Sequence, residues 1–365
     1  MKGSGKMTVV NCIKTIIFLG IFLTILTAVT YVIRTNGEIK DIFTGFYAEE
    51  EDTIDVIMIG SSPVFPFYAA PQMWGEYGIT CYPLASHVQR PSAALPLVKE
   101  AEKTQAPKLF IFEMRMYTME DGDMASNMAY ARGVTDNMKY SLNRIYAINR
   151  LVTEPSERYT YYFDIFKYHS NWKTMILPSQ LACITYEKKS PLKGFVIRDE
   201  VGPLEEERIP TCTDLTETTP IPAEQEARLY ELLDYLKAQK MEAMFIVSPY
   251  REEPQEQMMF NYITPIIESY GYSFVNMNEH YEEIGIDFST DYYDYGGHAN
   301  ALGARKCTEY LSKLITENYD IEDKRETDDA RYQSWKDAYT LYREESTAAI
   351  ETIHTNIAEG IFAER

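Results

Sequence analysis

The chain has few basic residues for its length. Its 365 residues include 35 Lys+Arg against 55 Asp+Glu, which gives a formal net charge of −20 at pH 7. A nucleic-acid-binding protein needs positive charge to neutralise phosphates, and an excess of acidic groups repels phosphate backbones and anionic surfaces. The composition therefore argues against nucleic acid as a partner.

Cysteine is also sparse, and the five cysteines are scattered along the chain. The sequence contains no Cys-x-x-Cys pair and no cluster of cysteine and histidine at the spacing of metal ligands. We therefore predict no metal site and no cofactor, and we expect unpaired, buried thiols. The five residues are Cys12, Cys81, Cys183, Cys212 and Cys307.

One long apolar run lies close to the N-terminus. Residues 13–33 contain a single charged residue, Lys14, and no proline, and a helix needs about 20 apolar residues to cross a bilayer. We predict a transmembrane helix here, with residues 1–12 in the cytoplasm because Lys2 and Lys6 favour that side. The rest of the chain then lies outside the cytoplasmic membrane. A signal peptide that is later removed is the alternative.

Beyond a juxtamembrane linker at 34–52, short apolar runs alternate with amphipathic segments, which indicates a parallel sheet with right-handed crossovers. The predicted strands are 55–59, 80–84, 108–112, 243–247 and 273–277. They predict an α/β domain over 53–318 with a flavodoxin-like five-stranded sheet in the order 2-1-3-4-5. A long, mostly helical insertion is expected at 115–222, and a C-terminal helical extension at 319–365.

A turn of small residues, Gly60-Ser61-Ser62, follows the first predicted strand. In the predicted strand order this strand is central, so the turn lies at the topological switch point, where open α/β sheets bind their ligands. A serine at this point can act as a nucleophile. The alternative is that these residues only turn the chain and cap the next helix.

The loop after the fifth predicted strand carries one histidine, His298, and two preceding acids, Asp291 and Asp294. A serine nucleophile needs a base to accept its proton, and that base needs an acid that fixes its tautomer. Both kinds of residue come from this one loop.

With the serine turn and the Asp/His loop in these places, the chain resembles the SGNH (GDSL-like) hydrolase superfamily, membrane-anchored bacterial branch, over roughly residues 50–320. The family's first block reads Gly-Asp-Ser, so the resemblance implies that Ser62 is the nucleophile. Its last block reads Asp-x-x-His, which implies that His298 is the base. Here the acid is one place further away, at Asp294, with Asp291 as the alternative, and the adjacent glycines can bend to restore the geometry.

The resemblance also implies an oxyanion hole. The segment Leu84–Gln89 resembles the family's second block, in which a glycine amide helps to bind the oxyanion. Val88 stands at that glycine's position, and the resemblance implies that Val88 and Gln89 contact the oxyanion or the substrate. The asparagine of the third block has no match. Arg115, after the third strand, either supplies the missing donor, binds an anionic group of the substrate, or pairs structurally with Glu113 or the insertion.

These features imply a membrane-anchored, extracytoplasmic serine esterase or acyltransferase that acts on ester-linked groups of cell-envelope polymers. Anchored relatives, including the family of the teichoic-acid D-alanylation protein, are tied to envelope modification, so a membrane-embedded acyl donor protein is a candidate partner. The alternative is a catalytically silent SGNH-fold module that binds a glycan through its tyrosine-rich insertion; the chain contains 29 tyrosines.

Overall fold

The centre of the computed structural model is a five-stranded sheet in which neighbouring strands all run parallel, in the order β2-β1-β3-β4-β5. The model describes residues 3–34, 37–120, 122, 129–173, 187–205, 212 and 214–363. The strands are β1 Val56–Gly60, β2 Cys81–Ala85, β3 Leu109–Glu113, β4 Ala243–Val247 and β5 Ser273–Asn276. The predicted α/β class and strand order are confirmed, and the predicted strand bounds agree with the observed ones to within one residue.

The apolar runs form strands because both faces of the sheet are covered. Val56 is paired with Cys81 on one side and with Leu109 on the other, so β1 is central. Every residue of β1, β2, β3 and β4 is buried, whereas β5, at the edge, is partly exposed. A strand that is buried on both faces needs apolar residues at successive positions, rather than apolar and polar residues in alternation.

Helices follow the strands in the order that the alternation predicts. Those in the described residues are α1 Gly3–Ile33, α2 Glu38–Ala48, α3 Val64–Phe67, α4 Ala70–Tyr77, α5 Ala94–Ala101, α6 Ala129–Thr135, α7 Leu142–Leu151, α8 Tyr159–Tyr162, α9 Ile165–Tyr168, α10 Ala223–Gln239, α11 Pro254–Ser269, α12 Tyr281–Ile284, α13 Ala301–Asn318 and α14 Gln333–Glu359. On α10 the predicted leucine face, from Leu229 to Leu236, is buried in the core.

Helix α1 is longer than the predicted segment and begins before it. Its stretch Thr8–Ile33 has a mean hydropathy of 2.5 and is long and apolar enough to cross a bilayer. Side chains along the helix, such as Phe18, are largely exposed, whereas Tyr31 and Ile33 at its C-terminal end are buried against the rest of the chain.

The predicted linker at 34–52 is wrong in one respect, because most of it is the packed helix α2. Ile42, Phe43 and Phe46 of α2 are buried in the core, and Tyr82 of β2 donates a hydrogen bond to the carbonyl of Ile42 at 2.9 Å. Together with Ile39 they have the spacing of one apolar helix face. The acidic residues that follow α2 made this short pattern look like a solvated linker.

Within its described residues, the insertion has short helices in its first part, α6 to α9, and no helix over residues 187–205. At the C-terminus, Trp335, Ala338 and Tyr342 of α14 are buried. The Tyr342 hydroxyl donates a hydrogen bond to Gln72 of α4 at 2.7 Å, so α14 packs on the α/β domain.

The described cysteines are all free, and they differ in burial. Cys81, Cys212 and Cys307 are buried, as predicted, whereas Cys12 is exposed on α1. The expectation for Cys183 concerns a residue outside the described part of the chain.

Candidate active site

The serine turn lies directly after β1, at the central strand of the sheet. Gly60 is required there by space, because a Cβ atom at this position would lie 2.6 Å from Glu113 Cβ and 2.7 Å from a methyl group of Val64. The side chain of Ser61 is buried, whereas Ser62 is partly exposed. The helix that follows has Pro63 at its N-cap and no side-chain capping bond, so Ser62 does not serve as a cap.

Ser62 and His298 are brought together across the sheet, although 236 positions separate them in the sequence. Ser62 Oγ lies 2.7 Å from His298 Nε2. The other ring nitrogen, Nδ1, lies 2.6 Å from Asp294 Oδ2. These distances meet the geometry predicted for a nucleophile, a base and an orienting acid.

Asp294 is held in its ionised form by the loop around it. Its Oδ1 accepts hydrogen bonds from the backbone N–H groups of Gly297, at 3.0 Å, and His298, at 2.6 Å. Burial alone would raise the pKa of Asp294, but the interactions with His298 and these amides outweigh it and lower that pKa. The carboxylate is thus suited to fix the imidazole tautomer.

The extra residue between acid and base is absorbed by two consecutive residues with positive φ. Tyr295 has φ 63° and Gly296 has φ 90°, a region that favours glycine. The alternative acid, Asp291, does not reach the imidazole. It is fully buried and its Oδ2 forms an ion pair with Lys306 at 2.6 Å, so its role is structural.

The loop after β2 supplies one candidate oxyanion donor, the amide of Val88, and the turn after β1 supplies the other, the amide of Ser62. Val88 has φ 45°, which is unusual for a β-branched residue and is the conformation that a glycine at this position would adopt. Within the described residues, neither the N–H of Ser62 nor that of Val88 donates to a protein acceptor. Both amides are therefore available to an oxyanion.

The side chain of Gln89, which is predicted with Val88 to bind the oxyanion or the substrate, is turned into its own loop. It is buried, with Oε1 accepting from Ser86 Oγ at 3.2 Å and Nε2 donating to the carbonyl of Leu84 at 3.3 Å. These two bonds fix the shape of the loop, so a contact of Gln89 with an oxyanion would come from its backbone amide.

Arg115 contacts the base loop rather than a vacant oxyanion position. Its Nη1 donates to the carbonyl of Gly297 at 3.1 Å, and its guanidinium lies 4.0 Å from the ring centroid of Tyr250. Of the three roles that the sequence left open, the structural one agrees best with these contacts. Arg115 also acts on Glu113, because its charge and its backbone N–H both stabilise the Glu113 carboxylate and partly offset the effect of burial on its pKa.

Glu113 itself lies under the serine turn, at the end of β3. It is almost fully buried, and burial raises its pKa to about 7. Its Oε1 is 3.5 Å from the N–H of Ser248, and its Oε2 has no hydrogen-bond partner among the described residues. This carboxyl group is therefore neutral over much of the acidic pH range.

Sequence reasoning missed a charged cluster at the edge of the site. Glu38, at the start of α2, lies 2.9 Å from His87 Nε2 and 2.8 Å from Arg198 Nη2. The guanidinium of Arg198 lies 5.5 Å from the ring centroid of Tyr293, whose ring is stacked on His298 at 5.7 Å. No local motif marks these residues, because they come from three distant segments.

No protein-family model matches the chain, and no curated protein shows significant sequence similarity to it. Within the described residues no group of three or more histidine, cysteine, aspartate or glutamate side chains is placed to hold a metal ion. The chemistry that the site offers comes from its own side chains: a hydroxyl, an imidazole aligned by a carboxylate, and two unoccupied backbone donors.

Proposed function

We propose that the chain is a serine esterase or acyltransferase of the SGNH type, anchored in the membrane by α1 and acting outside the cytoplasmic membrane on ester-linked groups of cell-envelope polymers. The observation that carries the proposal is the hydrogen-bonded series from Ser62 to His298 to Asp294, with distances of 2.7 Å and 2.6 Å. A hydroxyl placed in this way is activated for attack on an ester carbonyl.

In the proposed reaction, His298 Nε2 accepts the hydroxyl proton while Ser62 Oγ bonds to the carbonyl carbon. The tetrahedral intermediate collapses as the ester C–O bond breaks, and His298 returns its proton to the departing alcohol. Water or a second hydroxyl, deprotonated by His298, then attacks the acyl-serine. The bond between the acyl carbon and Ser62 Oγ breaks, and His298 returns the proton to Ser62. Asp294 holds the imidazole throughout and stabilises its positive charge.

The amides of Ser62 and Val88 are the proposed oxyanion donors. The positive φ of Val88 supports this assignment, because it gives the loop the backbone of a glycine at that position. Backbone donors that are fixed before the reaction stabilise the developing charge without reorganisation.

Transfer to a polymer, rather than hydrolysis of free esters, is favoured by the way the domain is attached. The packed helix α2 replaces a flexible tether, so the site stays at a fixed distance from the end of α1. At that fixed distance the site would encounter membrane-associated polymers and a membrane-embedded acyl donor protein. The net charge of −20 opposes approach to anionic polymers.

Labelling with a fluorophosphonate probe tests the activated serine. The full-length protein should be labelled, whereas Ser62→Ala and His298→Ala should not, because only an activated hydroxyl attacks the phosphorus centre at a useful rate. Ser61→Ala is the matched control and should be labelled nearly as well as the parent. Labelling of Ser62→Ala would place the nucleophile elsewhere, and absence of labelling in the folded parent would favour the silent glycan-binding alternative.

A measurement in cells separates transfer from hydrolysis. Envelope ester content is compared between cells that make the parent protein and cells that make Ser62→Ala. Loss of ester groups in the variant cells supports acyl transfer, whereas their accumulation identifies a deacylase.

A further inference from the structure

Exposed apolar side chains outside α1 are concentrated in one part of the insertion. We call this set the aromatic patch; its exposed members are Leu142, Ile145, Tyr159, Phe163, Phe166 and Trp172. Leu142 is 84% exposed and Trp172 is 63% exposed. Isolated apolar residues are normal on protein surfaces, but a contiguous set indicates a binding surface.

Five of the six patch residues form one connected surface, and Trp172 follows α9 in the sequence. The ring of Phe166 contacts those of Tyr159 and Phe163, at centroid distances of 5.8 Å and 6.4 Å. Phe163 in turn lines an apolar pocket together with Leu142 and Ile145. One surface therefore connects α7 with the short helices α8 and α9.

This surface is bonded directly to the end of the membrane helix. Arg34, the residue after α1, donates from Nε to Asp164 Oδ2 at 2.8 Å, and Asp164 also pairs with Arg144 at 2.9 Å. The side chain of Asn171 donates to the carbonyl of Ile33 at 3.0 Å.

The three members of that bonded group that belong to the insertion lie beside patch residues in the sequence. Leu142 and Ile145 flank Arg144, Phe163 precedes Asp164, and Trp172 follows Asn171. Arg34 and Asp164 are both buried, so the connection is rigid. The patch is thus held beside the point where α1 ends.

Charge distinguishes this segment from the rest of the chain. Residues 129–173 contain seven Lys+Arg against four Asp+Glu, in a chain whose net charge is −20. Aromatic side chains combined with an excess of basic residues are typical of segments that lie at the interface of an anionic bilayer.

We propose that the aromatic patch is embedded in the interfacial region of the bilayer that α1 spans, at the leaflet where α1 ends. The domain then contacts the membrane at two places, the helix and the patch, and cannot rotate freely about α1. This contact is independent of the serine chemistry and fixes the orientation of the whole domain relative to the membrane.

The fluorescence of Trp172 provides the test. The other tryptophans, Trp74 and Trp335, are buried in the domain, and α1 contains none. The full-length protein is reconstituted into vesicles of phosphatidylcholine and phosphatidylglycerol, with or without bromine near the carbonyl end of the acyl chains. The emission of Trp172 is the part of the fluorescence that is lost in the Trp172→Phe variant. We expect the brominated lipid to quench this emission. Equal Trp172 emission in vesicles with and without bromine overturns the proposal.

Charged substitutions on the patch give a second measurement. Leu142→Asp should reduce the quenching of Trp172, because a carboxylate is costly at the interface, and the high exposure of Leu142 leaves the fold intact. Tyr230→Asp, at an exposed aromatic residue on α10 outside the patch, is the matched control and should leave the quenching unchanged. Unchanged quenching in Leu142→Asp contradicts the membrane assignment. Quenching that varies with the protein concentration also contradicts it, because such a dependence indicates contact between copies of the chain.

Discussion

Glu38 Oε1 lies 2.9 Å from His87 Nε2, and this contact joins α2 to the loop that carries the candidate oxyanion donor Val88. The hydrogen bond from His87 is the main cause that lowers the pKa of Glu38. Val88 is the next residue along that loop, so the position of its amide depends on a side chain at the start of α2.

Replacement of Glu38 by alanine should slow the labelling of Ser62 on the order of tenfold, which corresponds to about 1.4 kcal/mol. The expected cause is a displaced loop, so Glu38→Gln, which keeps a hydrogen-bond acceptor, should restore part of the rate. Asp41→Ala is the control, because Asp41 is an exposed acid on the same helix. Rates are measured with the fluorophosphonate probe; equal rates for Glu38→Ala and Asp41→Ala would refute the coupling.

The two acids before His298 should separate by function. Asp294→Asn should lower the labelling rate by about 10⁴-fold, which is the effect of the corresponding change in a Ser-His-Asp triad. The reason is that an amide no longer fixes the imidazole tautomer. Asp291→Asn should instead lower the thermal stability, because it removes the buried carboxylate that pairs with the partly exposed Lys306. It should leave the labelling rate of the folded protein nearly unchanged. The rates are compared at a temperature where both variants are folded, and a reversed pattern would make Asp291 the acid.

Much of this arrangement could be predicted from the sequence, because its signals are local. Continuous apolar runs mark the buried strands, and the strand order follows from their alternation with helices. The serine turn follows β1 directly, whereas His298 lies beyond α12 and three residues before α13. Topology therefore predicts that the two segments lie at the same edge of the sheet, and the path of the chain between β5 and α13 sets the contact itself.

The parts that were missed depend on contacts between distant segments. Gln89 carries a polar side chain beside the site, and only the fold reveals that it is turned inward to Ser86 and Leu84. Helix α2 has a short apolar face whose burial depends on contact with β2. Arg198 lies in a segment without helix, and nothing in its local sequence indicates that it meets Glu38.

Glu113 should make stability depend on pH. Its pKa is about 7 in the folded chain because of burial, against an ordinary value of 4.5. The folded state therefore binds the Glu113 proton more tightly than the unfolded state does. The contribution of Glu113 to stability is fully present below pH ~4.5 and is lost as the pH rises to about 7. The shift corresponds to a loss on the order of 3 kcal/mol across that window.

Glu113→Gln should remove this contribution, since the amide does not titrate there. The free energy of unfolding is measured from about pH 4.5 to pH 8 for both proteins, and the difference between the two curves isolates Glu113 from other titrating groups, including Glu252, whose pKa burial raises to about 8. Parallel curves would show that folding does not raise the pKa of Glu113.

The buried ion pair between Lys193 and Glu49 joins three segments of the chain. It should contribute far more to the free energy of unfolding than the more exposed pair beside it. Lys193 Nζ lies 2.8 Å from Glu49, and both side chains are fully buried. Lys193 also donates to Ser334, just after α14 begins, at 2.7 Å. Burial raises the pKa of Glu49 and lowers that of Lys193, so neither charge is favourable without the other.

Lys193→Met should therefore destabilise the fold by about 3–5 kcal/mol, because it leaves the Glu49 carboxylate buried and unpaired. Lys189→Met, which breaks the more exposed pair with Glu50, should cost no more than about 1 kcal/mol. The double variant Lys193→Met/Glu49→Gln should recover part of the loss, since it removes the unpaired charge. Chemical unfolding of the full-length protein in detergent measures all three, and a Lys193→Met cost no larger than that of Lys189→Met would show that the pair is not buried as described.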